Sequence, residues 1–494
     1  MRPSHVKSLL VLTNWRDGRH PDAGGAEEVC EQLARCFAER GWEVVLLTAA
    51  VDGQESKERQ DGYRIIRRGS RFTVYPWTLM WVAWNRRRIR AVVDSQNGIP
   101  FFTPLVVSKR TPVLLLLHHV HHELFLHYFS PFTARIGQWL ESTGTRLVYG
   151  DRAVLAVSPS TRRGARRVFR LRGEIFVVPP GCEAVGSEQP GERNRSEHER
   201  IVWVGRLVPQ KRIGLILDVM PELLADFPHL ELHLVGDGPE RGALADQVDR
   251  LGLSEHVMLH GTLNPASRDE LMRSAWLSVT ASESEGWGPG VIEANAQGVP
   301  VLSYRRPGLR DSIRHQDTGW LIDEDQPLAP TVGEALRKLA DPEFAESIGV
   351  RAQRWIARFT WDEMAKQVMD ILMAEDGRLK HLPNDRRSHS DLSTVAVVPF
   401  DLLPQNETLR FRPTDRSLLA AEGLAVLLLG TDTEMARTAL RRAGLSESAA
   451  NHARVRTLVA RPTDLVSLDA TMDVSSALSP TGARWTDANQ TEEG

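Results

Sequence analysis

The chain is poor in cysteine, with three (Cys30, Cys36 and Cys182) in 494 residues. That excludes a disulfide framework, and no zinc-ligand spacing accompanies them. Cys30 and Cys36 stand six apart on an expected helix and point to different faces. A reducing, cytoplasmic setting fits. No apolar run reaches the roughly 18 residues that span a bilayer. "SLLVLTNW" near the N-terminus stops at Asn14, so it reads as a buried strand rather than a signal peptide. Neither charge dominates: the formal net charge is -3, which removes the bulk electrostatic case for a nucleic-acid partner. What remains is ordinary globular composition, 41% hydrophobic and 25% charged, in a chain too long for one core.

Strand-like and helix-like segments alternate. "SLLVLTNW" precedes the loop "RDGRHPDAGG" and the helix "AEEVCEQLARCFAERG", whose stripe is Val29, Leu33 and Phe37 and whose stop is Gly41. "WEVVLLTA", "RAVVDS", "PVLLLLHH", "AVLAVSPS" and "EIFVVPP" are further strands, apolar on both faces as in a covered parallel sheet. Residues 183–200 read as a linker. The alternation restarts at "RIVWVG" and continues through "LELHLVG", "HVMLHG", "AWLSVTAS" and "PVLSY". The expectation is α/β: an N-terminal Rossmann-like domain over 1–185 and a second over 186–357, with a ligand cleft between them beyond the strands' carboxyl ends. Residues 358–375 read as a closing helix and 376–393 as a linker. Residues 394–468 suggest a small α+β module, and 469–494 a disordered tail.

The chemistry concentrates in "SESEGWGPGVIEANAQGVPVLS" (282–303). Glycines let backbone N–H groups approach a ligand. Pro289 suits a helix start, and that helix end is an anion site. Glu293, one turn in, can accept hydrogen bonds from a vicinal diol, and Glu285 in the loop can hold sugar hydroxyls. "VGRLVPQKR" (204–212) adds Arg206 and Lys211 at a strand's carboxyl end, a fork and a point charge for phosphate oxygens. "VGDGPE" (235–240) is another tight strand end.

"VGRLVPQKR", "LVGDGPE", "HGTL", the 282–304 stretch and "GLRDSI…TGWLID" together resemble the retaining GT-B-fold glycosyltransferases of family 4 (group 1). The resemblance covers about residues 8–373 and is strongest over 201–323. It implies two Rossmann-like domains facing across a cleft, with a C-terminal extension beyond the family pattern. It implies a nucleotide-diphosphate sugar as donor, a saccharide or lipid-linked acceptor, and no metal or other cofactor. Position by position, Arg206 and Lys211 would hold the diphosphate, Glu285 the donor sugar and Glu293 the ribose. The backbone of Trp287, Gly288, Pro289 and Gly290 would face sugar or phosphate. Gly205, Gly236 and Gly261 would line the donor side, with "HGTL" flanking the base. In the first domain, Gly24 and Gly25 of "DAGGAE" would approach the diphosphate and acceptor. His118 would be the cleft histidine, with His119 as the competing register. The expected catalytic set is His118, Glu285, Arg206 and Lys211. Pro180-Gly181 stands where the family often has Asn-Gly, and Pro289 where it often has a larger apolar residue. The implied chemistry is same-face attack with retention, the departing phosphate taking the acceptor proton. A covalent route would need an opposed carboxylate, and the sequence points to none. Alternatives are an inactive sugar-nucleotide sensor, or a phosphorylase or epimerase of the same fold.

Other stretches invite chemistry. "HHVHHELFLH" tempts a metal reading, but adjacent histidines point apart and no ligand pattern accompanies them. Asp323 and Asp325 form a D-x-D outside the proposed site. Residues 75–90 place Trp77, Trp81 and Trp84 beside Arg86, Arg87 and Arg88, and 161–173 is a basic helix. Both read first as packed helices with solvated basic ends, and second as a peripheral membrane contact. "LRFRPTDRSLLAAEGLAVLLLGTDTEMARTAL" is similar to part of a cyclic-dinucleotide synthase domain of the GGDEF type. "AAEGLAV" stands where that domain's signature loop would be, so catalysis is not expected there.

Overall fold

The computed structural model describes residues 9–21, 23–171, 174–182, 195–381, 392–404, 409–412, 415–420, 423–429 and 431–459. Contacts divide the chain into one unit of Met1–Ser108 with Val113–Lys366, and another of Lys109–Pro112 with Gln367–Gly494.

The first unit holds two sheets. The strands of one are β1 (Leu9–Thr13), β2 (Glu43–Thr48), β3 (Lys57–Gln60), β4 (Tyr63–Arg67), β5 (Ile89–Asn97), β6 (Val113–His119), β7 (Val154–Ala156) and β8 (Ile175–Val177). They lie in the order β3-β4-β2-β1-β5-β6-β7-β8, and every pairing but the β3–β4 hairpin is parallel. The strands of the other are β9 (Arg200–Val204), β10 (Glu231–Val235), β11 (Val257–Gly261), β12 (Leu277–Thr280), β13 (Val301–Tyr304) and β14 (Gly319–Ile322). All are parallel, in the order β11-β10-β9-β12-β13-β14. The apolar-on-both-faces pattern has its reason here: Leu9 to Leu12, Val44 to Leu47 and Val113 to Leu117 are all buried, since helices cover both faces. The helix Gly25–Glu39 buries Val29, Leu33 and Phe37 and ends in a glycine stop. Gly41, at φ +84°, donates to Ala38 O at 2.9 Å, and Trp42 N donates to Phe37 O at 3.1 Å.

Four boundaries differ from the sequence reading. Residues 183–194 lie outside the described residues, but 195–199 are anchored: the Arg195 guanidinium stacks 3.7 Å over Trp276 and donates to Leu339 O at 2.9 Å. The helix begun at Trp361 runs to His381, past the expected end at 375. The pairs Glu375–Arg378 and Asp376–Lys380, each at 2.7 Å, carry it on. The helix expected over 75–90 spans Val74–Asn85, because Asn85 Nδ2 turns back to Trp81 O at 2.9 Å. The basic helix starts earlier, at Pro159, where Ser158 Oγ caps Thr161 N at 3.0 Å. Its helical run ends at Phe169, before left-handed Arg170. Residues 172–173 lie outside the described residues.

In the second unit β15 (Leu392–Val398), β16 (Arg416–Ala420), β17 (Gly423–Leu429) and β18 (Arg454–Val459) form an antiparallel sheet in the order β16-β17-β15-β18, with helices Thr433–Arg442 and Glu447–His452. Residues 382–391 and 460–494 lie outside the described residues. Among the described residues no helix is long and apolar enough to cross a membrane.

Candidate active site

Among its parallel strands each large sheet reverses order once, between β1 and β5 and between β9 and β12. Loops leaving the carboxyl ends of two such neighbours diverge, and a crevice opens between them. Arg206 and Lys211 follow β9, and Glu285 to Glu293 follow β12. Gly24 and Gly25 close the loop that follows β1.

In the second sheet, Leu207, Val208 and Ile213 are buried and pin the loop after β9. Lys211 sits on a short turn, Pro209–Lys211, and its Nζ pairs with Glu285 Oε1. Beneath that pair is a small cavity lined by Val204, Ser278, Thr280, Gly288 and Val291. Gly205, Gly236 and Gly261 end three adjacent strands, and Gly236 N donates to Gly261 O at 2.8 Å. The helix Pro289–Ala296 begins at Gly288, φ +86°, with Pro289 in its first turn and no side-chain cap. Its first-turn dipoles therefore point at the crevice.

Glu293 lies in the second turn of this helix. Burial pushes its carboxyl up to about 7. Arg268, 3.6 Å away on the helix Pro265–Ser274, opposes that rise, while Glu28 and Asp269 reinforce it. Arg268 and Glu28 carry no motif in the sequence; they meet Glu293 only through the fold. Trp287 is 5% exposed and packs edge-on against Phe359, ring centroids 5.1 Å apart. Its side chain serves packing, and only its backbone is left for a ligand.

First-domain residues close over this set. A Cβ on Gly25 would come within 2.8 Å of Pro289 Cγ, and one on Gly286 within 2.1 Å of His118 O. Both close approaches require glycine. Gly24 stands beside Arg206, its ideal Cβ position 3.9 Å from Nε. Glu27 fixes the Gly24 turn: Oε2 accepts from Gly24 N at 2.9 Å, while Oε1 pairs with Arg16 Nε at 3.1 Å. Asp311 reaches across from the second domain, accepting from Ser160 N at 2.8 Å and from Arg163 at 3.3 Å, while Arg310 donates to Ser160 Oγ at 3.0 Å. The chain also returns to the first domain, where Cys182 N donates to Phe359 O at 3.0 Å and Arg40 pairs with Asp362.

The two histidine registers separate. His118 is buried, its Nε2 2.9 Å from Ser95 Oγ, and burial holds its imidazole down to about 3. His119 is half-buried, and its imidazole is held down to about 4, first by burial and then by Lys211. At neutral pH both rings are uncharged, and the one on which the Lys211 charge acts is His119. His121 stacks edge-on with His119, while His122 Nδ1 lies 3.7 Å from buried Glu141. Among the described residues no three His, Cys, Asp or Glu groups converge as a metal site. Asp323 bonds Arg305 at 3.1 Å.

Comparison with known proteins fits this architecture. Residues 23–184 match the family model for Glycosyltransferase Family 4, and residues 187–355 that for Glycosyl transferases group 1. The D-inositol 3-phosphate glycosyltransferase of Segniliparus rotundus is 29% identical over 204 residues, covering 39% of this chain and 45% of that protein. The GDP-mannose-dependent alpha-(1-6)-phosphatidylinositol monomannoside mannosyltransferase of Mycobacterium tuberculosis is 25% identical over 248 residues, covering 47% and 64%. The matches thus span about half to under two thirds of those relatives. Sucrose-phosphate synthase from Thermosynechococcus elongatus superposes with a TM-score of 0.61, covering 74% of this chain and 98% of that one at 20% identity, a likeness of fold. With the GT-B fold in place and two adjoining family matches across both sheets, the chain belongs to the family 4 (group 1) glycosyltransferases.

Proposed function

We propose that the chain transfers a hexose from a nucleotide-diphosphate sugar to an acceptor hydroxyl with retention of anomeric configuration and without a metal. The observation that carries this reading is the Lys211–Glu285 pair at the β9/β12 reversal, with Arg206 and the uncapped helix end beside it. A diphosphate entering there would exchange Glu285 for phosphate oxygens at Lys211. Glu285 would then be free to accept hydroxyls of the transferring sugar, and Glu293 those of the ribose. Arg206, Lys211 and the helix dipole would stabilise charge developing on the leaving diphosphate. No opposed carboxylate is needed if that phosphate takes the acceptor proton on the same face. Neutral His119, on which the Lys211 charge acts, would offer a hydrogen bond to the sugar without repelling the cation. The names of the two relatives, one GDP-mannose-dependent and both acting on inositol-containing acceptors, support a nucleotide-sugar donor and a polyol or lipid-linked acceptor.

The test is thermal-shift screening against uridine-, guanosine- and adenosine-diphosphate sugars, followed by turnover with mixed acceptors. A binding ligand raises the melting temperature. Glu293→Ala should weaken donor binding, and Lys211→Ala should chiefly lower kcat. Near-wild-type kinetics in both variants would reject the assignment. Donor binding without turnover would favour a sensor, and stimulation by free phosphate a phosphorylase.

A further inference from the structure

Large apolar side chains left in water are unevenly placed. Among the described residues there are thirteen, and nine of them lie between Phe72 and Leu147. Single exposed apolar residues are normal on a protein surface; a grouping is not. Four of the nine, Phe132, Ile136, Trp139 and Leu147, share one helical run. That run is Pro131–Trp139, the π-helical Leu140–Gly144 and Thr145–Tyr149, without a break. Phe132, Ile136 and Trp139 are spaced i, i+4, i+7, so they form one stripe. The other face is occupied: Ala134, Gly137, Glu141, Gly144 and Tyr149 are buried. Rotating the helix to hide the stripe is blocked, because the Phe125 ring fills the space of a Gly137 side chain, 2.5 Å from the ideal Cβ. Phe132 at 75%, Trp139 at 54% and Leu147 at 70% therefore stay exposed.

The exposed charges on the run itself have one sign; exposed Glu123 and Asp151 lie beyond its two ends. Arg135 and Arg146 are exposed. Between Leu124 and Gly150 the sole acidic residue is Glu141, which is fully buried. Apolar side chains flanked by arginines, with no exposed acid on the run itself, suit the interface of an anionic bilayer. A second copy of the chain suits them less, since a two-fold contact would press Arg135 and Arg146 against their own kind. The patch also joins the mouth of the crevice. The Arg71 guanidinium lies 4.9 Å over the Phe129 ring, 5.7 Å from the Phe72 ring and 5.6 Å over Trp15, in the loop after β1.

We propose that the apolar stripe of the 131–149 helical run, with Arg135 and Arg146, docks the first domain on an anionic lipid bilayer, and that Arg71 links this surface to the rim of the crevice. This is not the contact that residues 75–90 and 161–173 suggest. Residues 75–90 form a separate surface, where Met80 and Trp84 are exposed but Arg86–Arg88 lie past the helix end with Arg88 3.7 Å from Glu43, and 161–171 contributes no large exposed apolar side chain. The inference does not depend on the donor reading.

The experiment is flotation of the full chain with vesicles of phosphatidylcholine alone and of phosphatidylcholine with phosphatidylglycerol. Wild type should float with the anionic vesicles at low salt and lose binding as salt rises. Ile136→Glu with Trp139→Glu should reduce the bound fraction by about tenfold or more, as should Arg135→Glu with Arg146→Glu. The second pair carries the test if the first fails to fold. Leu215→Glu, at an exposed apolar residue of the second domain, should bind as wild type. Absence of wild-type binding to anionic vesicles, equal binding by the 136/139 variant, or an equal loss in Leu215→Glu would overturn the proposal. So would a dimer in vesicle-free buffer that Trp139→Glu dissociates, which would assign the surface to a second copy.

Discussion

Replacing Glu293 by Gln should stabilise the ligand-free protein in alkaline solution and leave it unchanged in acid. Burial raises this carboxyl from its ordinary 4.5 to about 7 against the opposing pull of Arg268. A raised carboxyl behaves oppositely to a salt-bridged one. Below 4.5 both folded and unfolded chains hold the proton and the group contributes nothing. As pH rises from 4.5 to about 7 the unfolded chain ionises first, so stability falls; above about 7 the full cost is present. The displacement corresponds to at most about 3 kcal/mol. The side chain is 30% exposed, and solvent screening reduces this to about 1–2 kcal/mol. Glutamine keeps the shape without the charge, and Arg268 retains its 2.9 Å bond to Asp269, so no bare cation is left. Urea unfolding of wild type and Glu293→Gln at pH 5 and pH 8, followed by tryptophan fluorescence, reads the difference. The variant should gain about 1–2 kcal/mol at pH 8 and little at pH 5. Equal stability at both, or a variant weaker at pH 8, would refute the account of Glu293 as a desolvated carboxylate waiting for hydroxyl donors.

The same group should make donor binding pH-dependent: if ribose hydroxyls donate to ionised Glu293, Kd should rise by up to about tenfold per pH unit below 7, and the Gln variant, followed by calorimetry, should lose that slope. Gly286→Ala, whose Cβ would meet His118 O at 2.1 Å, should separate the β12 loop from the first domain and lower turnover by about 100-fold or more, with a smaller effect on the melting temperature. Trp287→Phe should cost at most about 1 kcal/mol, because its buried Nε1 has no hydrogen-bond partner to lose; a large drop in thermal stability would show otherwise. Burial pushes the Cys30 thiol up to about 12, so it should resist alkylation at pH 8 until the protein is denatured, as mass spectrometry would reveal.

Much of this architecture is written locally. Strands apolar on both faces, the Gly41 stop and the glycine-bounded turns after β9 and β12 follow from periodicity and backbone sterics within a few residues. So does the placing of Arg206, Lys211, Glu285 and Glu293 at strand or helix ends: each sits a fixed step beyond a recognisable segment. Pairings across the crevice have no such local signature. Successive side chains on a strand point to opposite faces, so the order His118–His119 cannot say which ring the Lys211 charge acts on. That depends on which face the Gly286 loop covers, and that loop arrives almost 170 residues later. Arg268 and Glu28 reach Glu293 from two helices in different domains. Trp287, beside glycines that suggest a ligand, is drawn away by Phe359. The stripe on the 131–149 run reads in one dimension like any buried helix face. Tertiary contacts on the opposite face, the Phe125 ring under Gly137 and the buried Glu141 and Tyr149 among them, turn it outward.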